Sequence, residues 1–338
     1  MAGLSPDAAA QVLYRAPHRI LGLAATDRQL AWAEQGTQPL GCFRIMRKPP
    51  AGAPTPLTRC RPFGNLGAQT VTDVGLLSTR VFWGESDIGT SFRSRVVYTA
   101  TGVGTRRRVL TLEEPCGSGP CSPSSSGQVP GPMTTGHGAL YYSVFAVSVD
   151  AMGNETVTGG SVHRALVAPG AGIRHPRLPG APGAALLAQA AGRLAVVPAD
   201  TSTRALRPLP ALELRNDRTG ALLWSRPVTG TIEALALSRR IVVALVDIAG
   251  DQSIRIYRPG TGRLSAVVEV HRGVIAIACG GTRLVYAKAR HVFFRHRTGI
   301  GSSVTARIAN SRFRISDLEI IGHVVTWHGR RTIRGVHV

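Results

Sequence analysis

An all-β, seven-bladed β-propeller is the fold this sequence predicts, and three observations predict it. Residues 231–270 read as four short strands, 232–237, 241–247, 253–258 and 263–270, rich in Val, Ile and Leu and separated by tight Gly, Pro and Asp turns. The opening of that unit, an apolar strand, a turn and a second strand, recurs along the whole chain. The last copy has room for only three strands, while a strand-like run from Gln11 to Arg15 stands before the first.

The recurrence is explicit in the residues. Ile20 to Glu34 reads ILGLAATDRQLAWAE and Val71 to Glu85 reads VTDVGLLSTRVFWGE, so Leu23 and Leu30 match Val74 and Val81, and Trp32 matches Trp83. The phrase returns at 133–142, 187–196, 234–243, 277–286 and 318–327. Its second strand carries Trp32, Trp83, Tyr142, Val196, Val243, Tyr286 and Trp327, large or β-branched residues that suit a strand packed between two sheets. Copies begin roughly 40 to 60 residues apart, near the period of four-stranded blades. A β-sandwich has no reason to keep one spacing through seven copies. The expected organisation is one domain, 1–338, with blades near 17–66, 67–128, 129–180, 181–230, 231–272, 273–313 and 314–338.

The seventh copy would run 315–321, 323–327 and 332–338, leaving its outer edge unpaired. Unpaired edges invite association, and closed architectures remove them. The segment 9–16 is therefore expected to supply the fourth strand of that blade and close the ring.

Charge is the most unusual bulk property: 40 basic residues against 19 acidic ones give a net charge of +21. All but Lys48 and Lys288 of the basic residues are arginine. Such a field attracts anionic surfaces. Basic runs such as Arg106 to Arg108, Arg239-Arg240 and Arg330-Arg331 are scattered without interleaved aromatics, so no specific nucleic-acid partner is expected. No apolar run reaches the length of a membrane-spanning helix.

Cysteine spacing bears on compartment. Cys42 and Cys60 flank a turn at 49–52 and lie opposite each other in a hairpin folded near Ala51; Cys116 and Cys121, in CGSGPC, sit in a loop short enough to close on itself. Both pairs are expected to form disulfides, with Cys279 left as a small core residue. Two matched pairs favour an oxidising, extracytoplasmic location, the cytoplasm with five reduced thiols being the alternative. The first residues carry neither a basic start nor an apolar core of signal-peptide type, which fits a mature form cleaved near Ala8 to Ala10. Neither cysteine pair has further ligands at zinc spacing, so no metal site is expected.

In a propeller, blade-to-blade connections and those between second and third strands emerge on one face. Two long connections, 114–133 and 169–183, are expected there. So are acids near the ends of second strands: Glu34, Glu85, Asp87 and Asp247 are candidates for a shared ligand site in a chain with few acids. No Gly-x-Ser-x-Gly or phosphate-binding loop occurs, and the histidines form no ligand spacing, so no catalytic residue and no cofactor is assigned.

The run from Asn216 to Trp224, NDRTGALLW, resembles the Asp-x-x-Thr-Gly-x-x-x-Trp turn of pyrroloquinoline-quinone-type propellers, in which an Asp–Gly turn is locked and the Trp packs against it between blades. Arg258 to Leu264, RPGTGRL, is a weaker echo lacking the Asp and the Trp. The seven-copy count is similar to tryptophan-aspartate-repeat propellers, although no terminal Trp-Asp dipeptide is present. The resemblance implies a propeller and nothing finer. Propellers host both binding and catalysis. The expected function is a monomeric, non-catalytic scaffold whose loop-bearing face binds a protein or an anionic cell-surface polymer. The alternative is a hydrolase or lyase acting on a glycan or lactone through the candidate acids.

Overall fold

The computed structural model describes residues 10–338 apart from 27–28, 37–41, 50, 61–67, 78, 89–92, 114–125, 137, 151, 153–154, 168–172, 203–205, 299–301, 311–314 and 322. Strands whose side chains alternate between two apolar faces must bury both, and a ring of radial sheets does so. Seven antiparallel sheets result, six of four strands and one of five. Each inner strand packs against the next, and the seventh against the first. Seven apolar clusters fill the gaps, one at each interface between neighbouring blades.

The fifth blade consists of Thr231–Leu237, Val242–Ile248, Asp251–Tyr257 and Leu264–His271, within a residue or two of the expected bounds. The first pair of strands is constant around the ring. Leu23 pairs with Trp32, Val74 with Trp83, Met133 with Tyr142, Leu187 with Val196 and Ile277 with Tyr286, each pair nine residues apart in sequence. These second-strand residues all face the preceding blade: Trp32 lies in the seventh-to-first cluster and Trp83 in the first-to-second.

The fifth blade departs from the expectation. Its hairpin has the same form as that of the first blade, the Ser238 amide donating to the Ile241 carbonyl at 2.9 Å as Thr26 donates to Gln29 at 2.9 Å, but it lies one residue further along than the repeated phrase places it. Leu235 consequently pairs with Ala244, and Ala244 occupies the Trp32 position, facing the fourth blade. Val243 points the other way, toward the sixth. A slip of one residue exchanges the faces of a strand, and the preference for a bulky residue points to the wrong neighbour. A further regularity is absent from the sequence pattern: every inner strand carries a register shift before this pair, as between Ile20 and Gly22, Val71 and Asp73, or Val274 and Ala276. Bulges increase local twist, which a radial blade needs.

Ring closure is as expected. Gln11–Arg15 pairs with Thr332–His337, Gln11 opposite Gly335 and Arg15 opposite Thr332. Leu13 packs against the Gly335 backbone, where a Cβ would stand 2.9 Å from its Cδ1. Tyr14 lies 4.6 Å from the Trp32 ring, between blades. Beyond the strand, Ala16 and Ile20 donate to the Arg331 and Arg330 carbonyls, both at 2.8 Å.

Two segments read as loops are partly strand. Residues 126–136 are the inner strand of the third blade, Ser126–Gly136. Ile173–Arg174 and Arg177–Pro182 pair with Glu155–Val167 as the outer edge of the same blade, so 173–182 is blade rather than a blade-to-blade connection, and residues 168–172 lie outside the described residues. Proline is tolerated at an edge, where an amide is not needed, and Leu178 and Ala181 are buried there, anchoring the segment.

The quinoprotein-like turn is also rearranged. Asn216 Oδ1 locks it, accepting the Arg218 and Thr219 amides at 2.9 and 3.0 Å, while Gly220 adopts φ +73° against the Pro179 backbone of the third blade. Asp217 turns inward and accepts from Tyr141 Oη at 3.1 Å and Gln189 Nε2 at 2.7 Å. Trp224 packs on the equivalent turn of the next blade, its Nε1 donating to Pro259 O at 2.8 Å.

Cys42 and Cys60 are bonded, with Cα atoms 5.5 Å apart. The pairing of Met46 with Pro56 and Arg47 with Thr55, continued outward, sets the two cysteines opposite each other. Closing this loop contributes roughly 3 kcal/mol in the chain-entropy account. Cys116 and Cys121 lie outside the described residues.

Deleting residues 1–16 removes the closing strand and should lower the melting temperature by roughly 5–10 °C. An unchanged calorimetric transition would show that the seam does not depend on this strand.

Candidate functional site

Antiparallel blades separate their connections into two faces. One carries the blade-to-blade connections and those between second and third strands. On it, consecutive blades bring together Arg272, Lys288, Arg290, Arg330 and Arg331, all but Lys288 exposed. Backbone and side-chain bonds tie these positions into one rim. Arg272 Nε donates to Gly250 O at 2.7 Å and Lys288 Nζ to Val270 O at 3.1 Å. The Ile315 amide donates to Ala289 O at 3.3 Å, and the Arg330 and Arg331 carbonyls hold the start of the first blade. Anchoring a guanidinium to a carbonyl oxygen orients it without neutralising it. The result is a basic crescent over blades five to seven.

The acids singled out from the sequence stand at the second-strand ends that lead to this face, and those whose side chains are described serve locally. Glu34 is fully buried, accepting from Trp32 Nε1 at 3.1 Å and from Arg44 Nε at 2.6 Å. Arg44 stands directly across the sheet from it, so the ion pair belongs to one blade. Glu85 repeats the arrangement: Trp83 Nε1 donates at 2.8 Å and Arg106 at 3.2 Å, with the Arg106 guanidinium 3.4 Å above the Tyr98 ring. Both sites follow from a Trp-x-Glu sequence, because residues two apart share a strand face. Asp247 Oδ1 accepts the Gly250 amide at 2.8 Å and shapes a turn. The backbone of Asp87 lies in the strand Arg80–Ile88, opposite Gln69. The structure thus gives Glu34, Glu85 and Asp247 separate partners and does not gather them. Among the described residues, no group of three or more His, Cys, Asp or Glu side chains is placed to hold a metal ion.

A second acidic set, which sequence reasoning missed, faces the axis. The central channel, of about 970 Å³, is lined by inner strands and includes Asp73, Asp317, Glu319, Thr134, Thr135 and Gln189. Asp73 and Asp317 are equivalent, each preceding the residue across from a tryptophan, and Thr72-Asp73-Val74 matches Ser316-Asp317-Leu318 in the sequence. That repeated tripeptide was the available signal. Asp317 Oδ2 accepts the Leu23 amide at 2.9 Å and lies 3.1 Å from His328 Nε2, a latch from blade seven to blade one. Gly22 of blade one lies beside this latch and close to the second blade, where a Cβ would stand 3.2 Å from Val74 Cγ2. Burial, reinforced by the neighbouring Asp317 charge, pushes the Glu319 carboxyl up to about 8. Burial likewise raises the Cys279 thiol to about 12, leaving it unreactive at neutral pH.

No protein-family model matches the chain, and no curated protein matches it in sequence. Solved structures do match in shape. A chain of the crystal structure of a mitotic checkpoint complex is similar with a TM-score of 0.63 and 11% identity, over 100% of this chain and 94% of that one. Virginiamycin B lyase from Staphylococcus aureus is similar in a selenomethionine-substituted form, with a TM-score of 0.55, 14% identity and 97% and 99% coverage. A catalytically inactive variant of that lyase with quinupristin gives 0.54, 12%, 97% and 98%. At these identities the likeness establishes the seven-bladed propeller.

Two substitutions probe these assignments. Glu34→Ala strands Arg44 and the buried Trp32 N–H, and should lower unfolding stability by roughly 2–4 kcal/mol in urea titration, Arg44 being partly solvated; Glu34→Gln, which keeps an acceptor, should cost less. A carboxyl whose folded pKa is raised favours the native state at low pH and loses that advantage as pH rises through the folded value. Stability should therefore decline between about pH 4.5 and 8 from Glu319. Glu319→Gln should flatten that part of the profile, and an unaltered slope would remove the assignment.

Proposed function

We propose that this propeller is a non-catalytic scaffold whose loop-bearing face binds an acidic protein surface or an anionic cell-surface polymer. The observation that carries this reading is the crescent of Arg272, Lys288, Arg290, Arg330 and Arg331, where Arg272 and Lys288 are held by backbone carbonyls. Preoriented charges on a rigid rim reduce the ordering cost of association and steer an anionic partner. Glu34 and Glu85, which an enzyme reading would need free, already hold Trp and Arg partners. The matching chain from a mitotic checkpoint complex supports protein binding as a use of this fold. The Cys42–Cys60 bond supports an extracytoplasmic setting, and among the described residues no helix is long and apolar enough to cross a membrane. We assign the chain as a monomer, with the tryptophan-aspartate-repeat type as its nearer likeness.

A second reading, a hydrolase or lyase acting on a glycan or lactone, draws on Glu319, whose carboxyl is held largely protonated at neutral pH in the channel beside Asp317. The similar virginiamycin B lyase supports it at the level of fold. Turnover of a lactone or glycan that Glu319→Gln abolishes would favour the enzyme.

Poly-glutamate binding tests the scaffold. Replacing Arg290, Arg330 and Arg331 by Gln should weaken binding about tenfold or more at low salt and reduce its salt dependence. Replacing Arg107, Arg108 and Arg218, remote from the crescent, should have a smaller effect. Equal losses would reduce the attraction to net charge and remove the face assignment.

A further inference from the structure

A cleft of about 570 Å³ opens on the circumference between blades four and five, away from the loop-bearing face and the channel. Arg226, Arg255, Arg263, Tyr257 and Leu264 line it, and no acidic side chain does. Its floor is rigid. Gly262, at φ +66°, lies against the Trp224 indole, where a Cβ would stand 2.7 Å from the ring, and Trp224 Nε1 is bonded to Pro259 O. Tyr257 and Trp224 lie with ring centroids 6.3 Å apart beneath the turn.

The arginines are built into this wall by neutral groups. Arg226 donates to three carbonyls: Gly262 O at 3.2 Å, Thr261 O at 3.0 Å and Ser225 O at 3.2 Å. Arg255 stands two residues before Tyr257 on the same strand, and both side chains line the cleft. Arg263 is exposed at the cleft mouth. The Arg255 and Arg263 guanidiniums, with the charge of Arg226 beside them and no carboxylate in the lining, match a doubly charged tetrahedral oxyanion better than a single carboxylate. One wall is apolar: Leu264, in the lining, is 45% exposed, and Val267, opposite Arg255 on the outer strand, is 42% exposed. Isolated exposed aliphatic residues are ordinary, but two on one strand beside a cationic pocket define a mixed surface.

We propose that this cleft binds a phosphate monoester that carries an apolar or aromatic body, the phosphate between Arg255 and Arg263 and the body against Leu264. The site is independent of the scaffold reading, because it uses a different part of the surface.

Calorimetric titration with phenyl phosphate tests it. The expected result is saturable binding, tighter than that of inorganic phosphate, weakened tenfold or more in Arg255→Gln/Arg263→Gln and unchanged in Arg330→Gln/Arg331→Gln. Arg226 is left intact because it holds the turn. Vesicles containing phosphatidic acid separate the sources of such an ester: capture that phenyl phosphate competes away assigns a lipid headgroup, and binding of phenyl phosphate alone assigns a soluble ester. Binding of neither probe, or equal weakening in both double variants, would overturn the proposal.

Discussion

Everything in this fold depends on the seam between blade seven and blade one. Each blade buries both faces against its neighbours, so all seven interface cores are complete only if the ring closes. The seventh sheet has three strands of its own, and hydrogen bonds from Gln11–Arg15 supply the fourth. Asp317 adds a bond from the innermost strand to the Leu23 amide, so the seam is fastened at its axis as well as at its rim. Closure through both chain ends makes stability a property of the whole circle rather than of any blade.

The arginine excess has a structural use before a functional one. Arg47, Arg226 and Arg272 each donate to carbonyl oxygens of turns in an adjacent blade or connection. Such contacts staple neighbouring blades while leaving the positive charge uncompensated. The few acids are spent differently: Glu34 and Glu85 brace tryptophans inside the wall, and Asp73, Asp317 and Glu319 face the channel. The molecule is therefore basic outside and acidic along its axis, a division that bears on any ligand it takes.

That division is also why the fold alone does not choose between binding and catalysis. A rigid basic rim suits association through long-range attraction. A narrow channel with a carboxyl held protonated suits chemistry on a small molecule. Proteins similar in shape occupy both classes, and the choice rests on which surface this chain presents to its partner.

The sequence by itself determined the blade count, the closing strand, the Cys42–Cys60 pair and six of the seven residues that face the preceding blade. Each of these follows from local periodicity: strand alternation, turn residues and a nine-residue offset between paired positions repeat along the chain and need no knowledge of distant contacts. Tertiary structure decided the rest. Ala244 rather than Val243 faces the fourth blade because the hairpin turns between Ser238 and Ile241, one residue later than the repeated phrase suggests, and the register follows from the turn. Residues 126–136 and 177–182 are strands because they pair with the second and third strands of the third blade despite their Gly and Pro content. Glu34 and Glu85 read as candidate ligands because a strand-end acid looks the same whether it meets solvent or an arginine across the blade. Only the radial packing of sheets fixes what each side chain meets, and it is that packing which gathered Arg226, Arg255 and Arg263 from two blades and set Asp317 against the first.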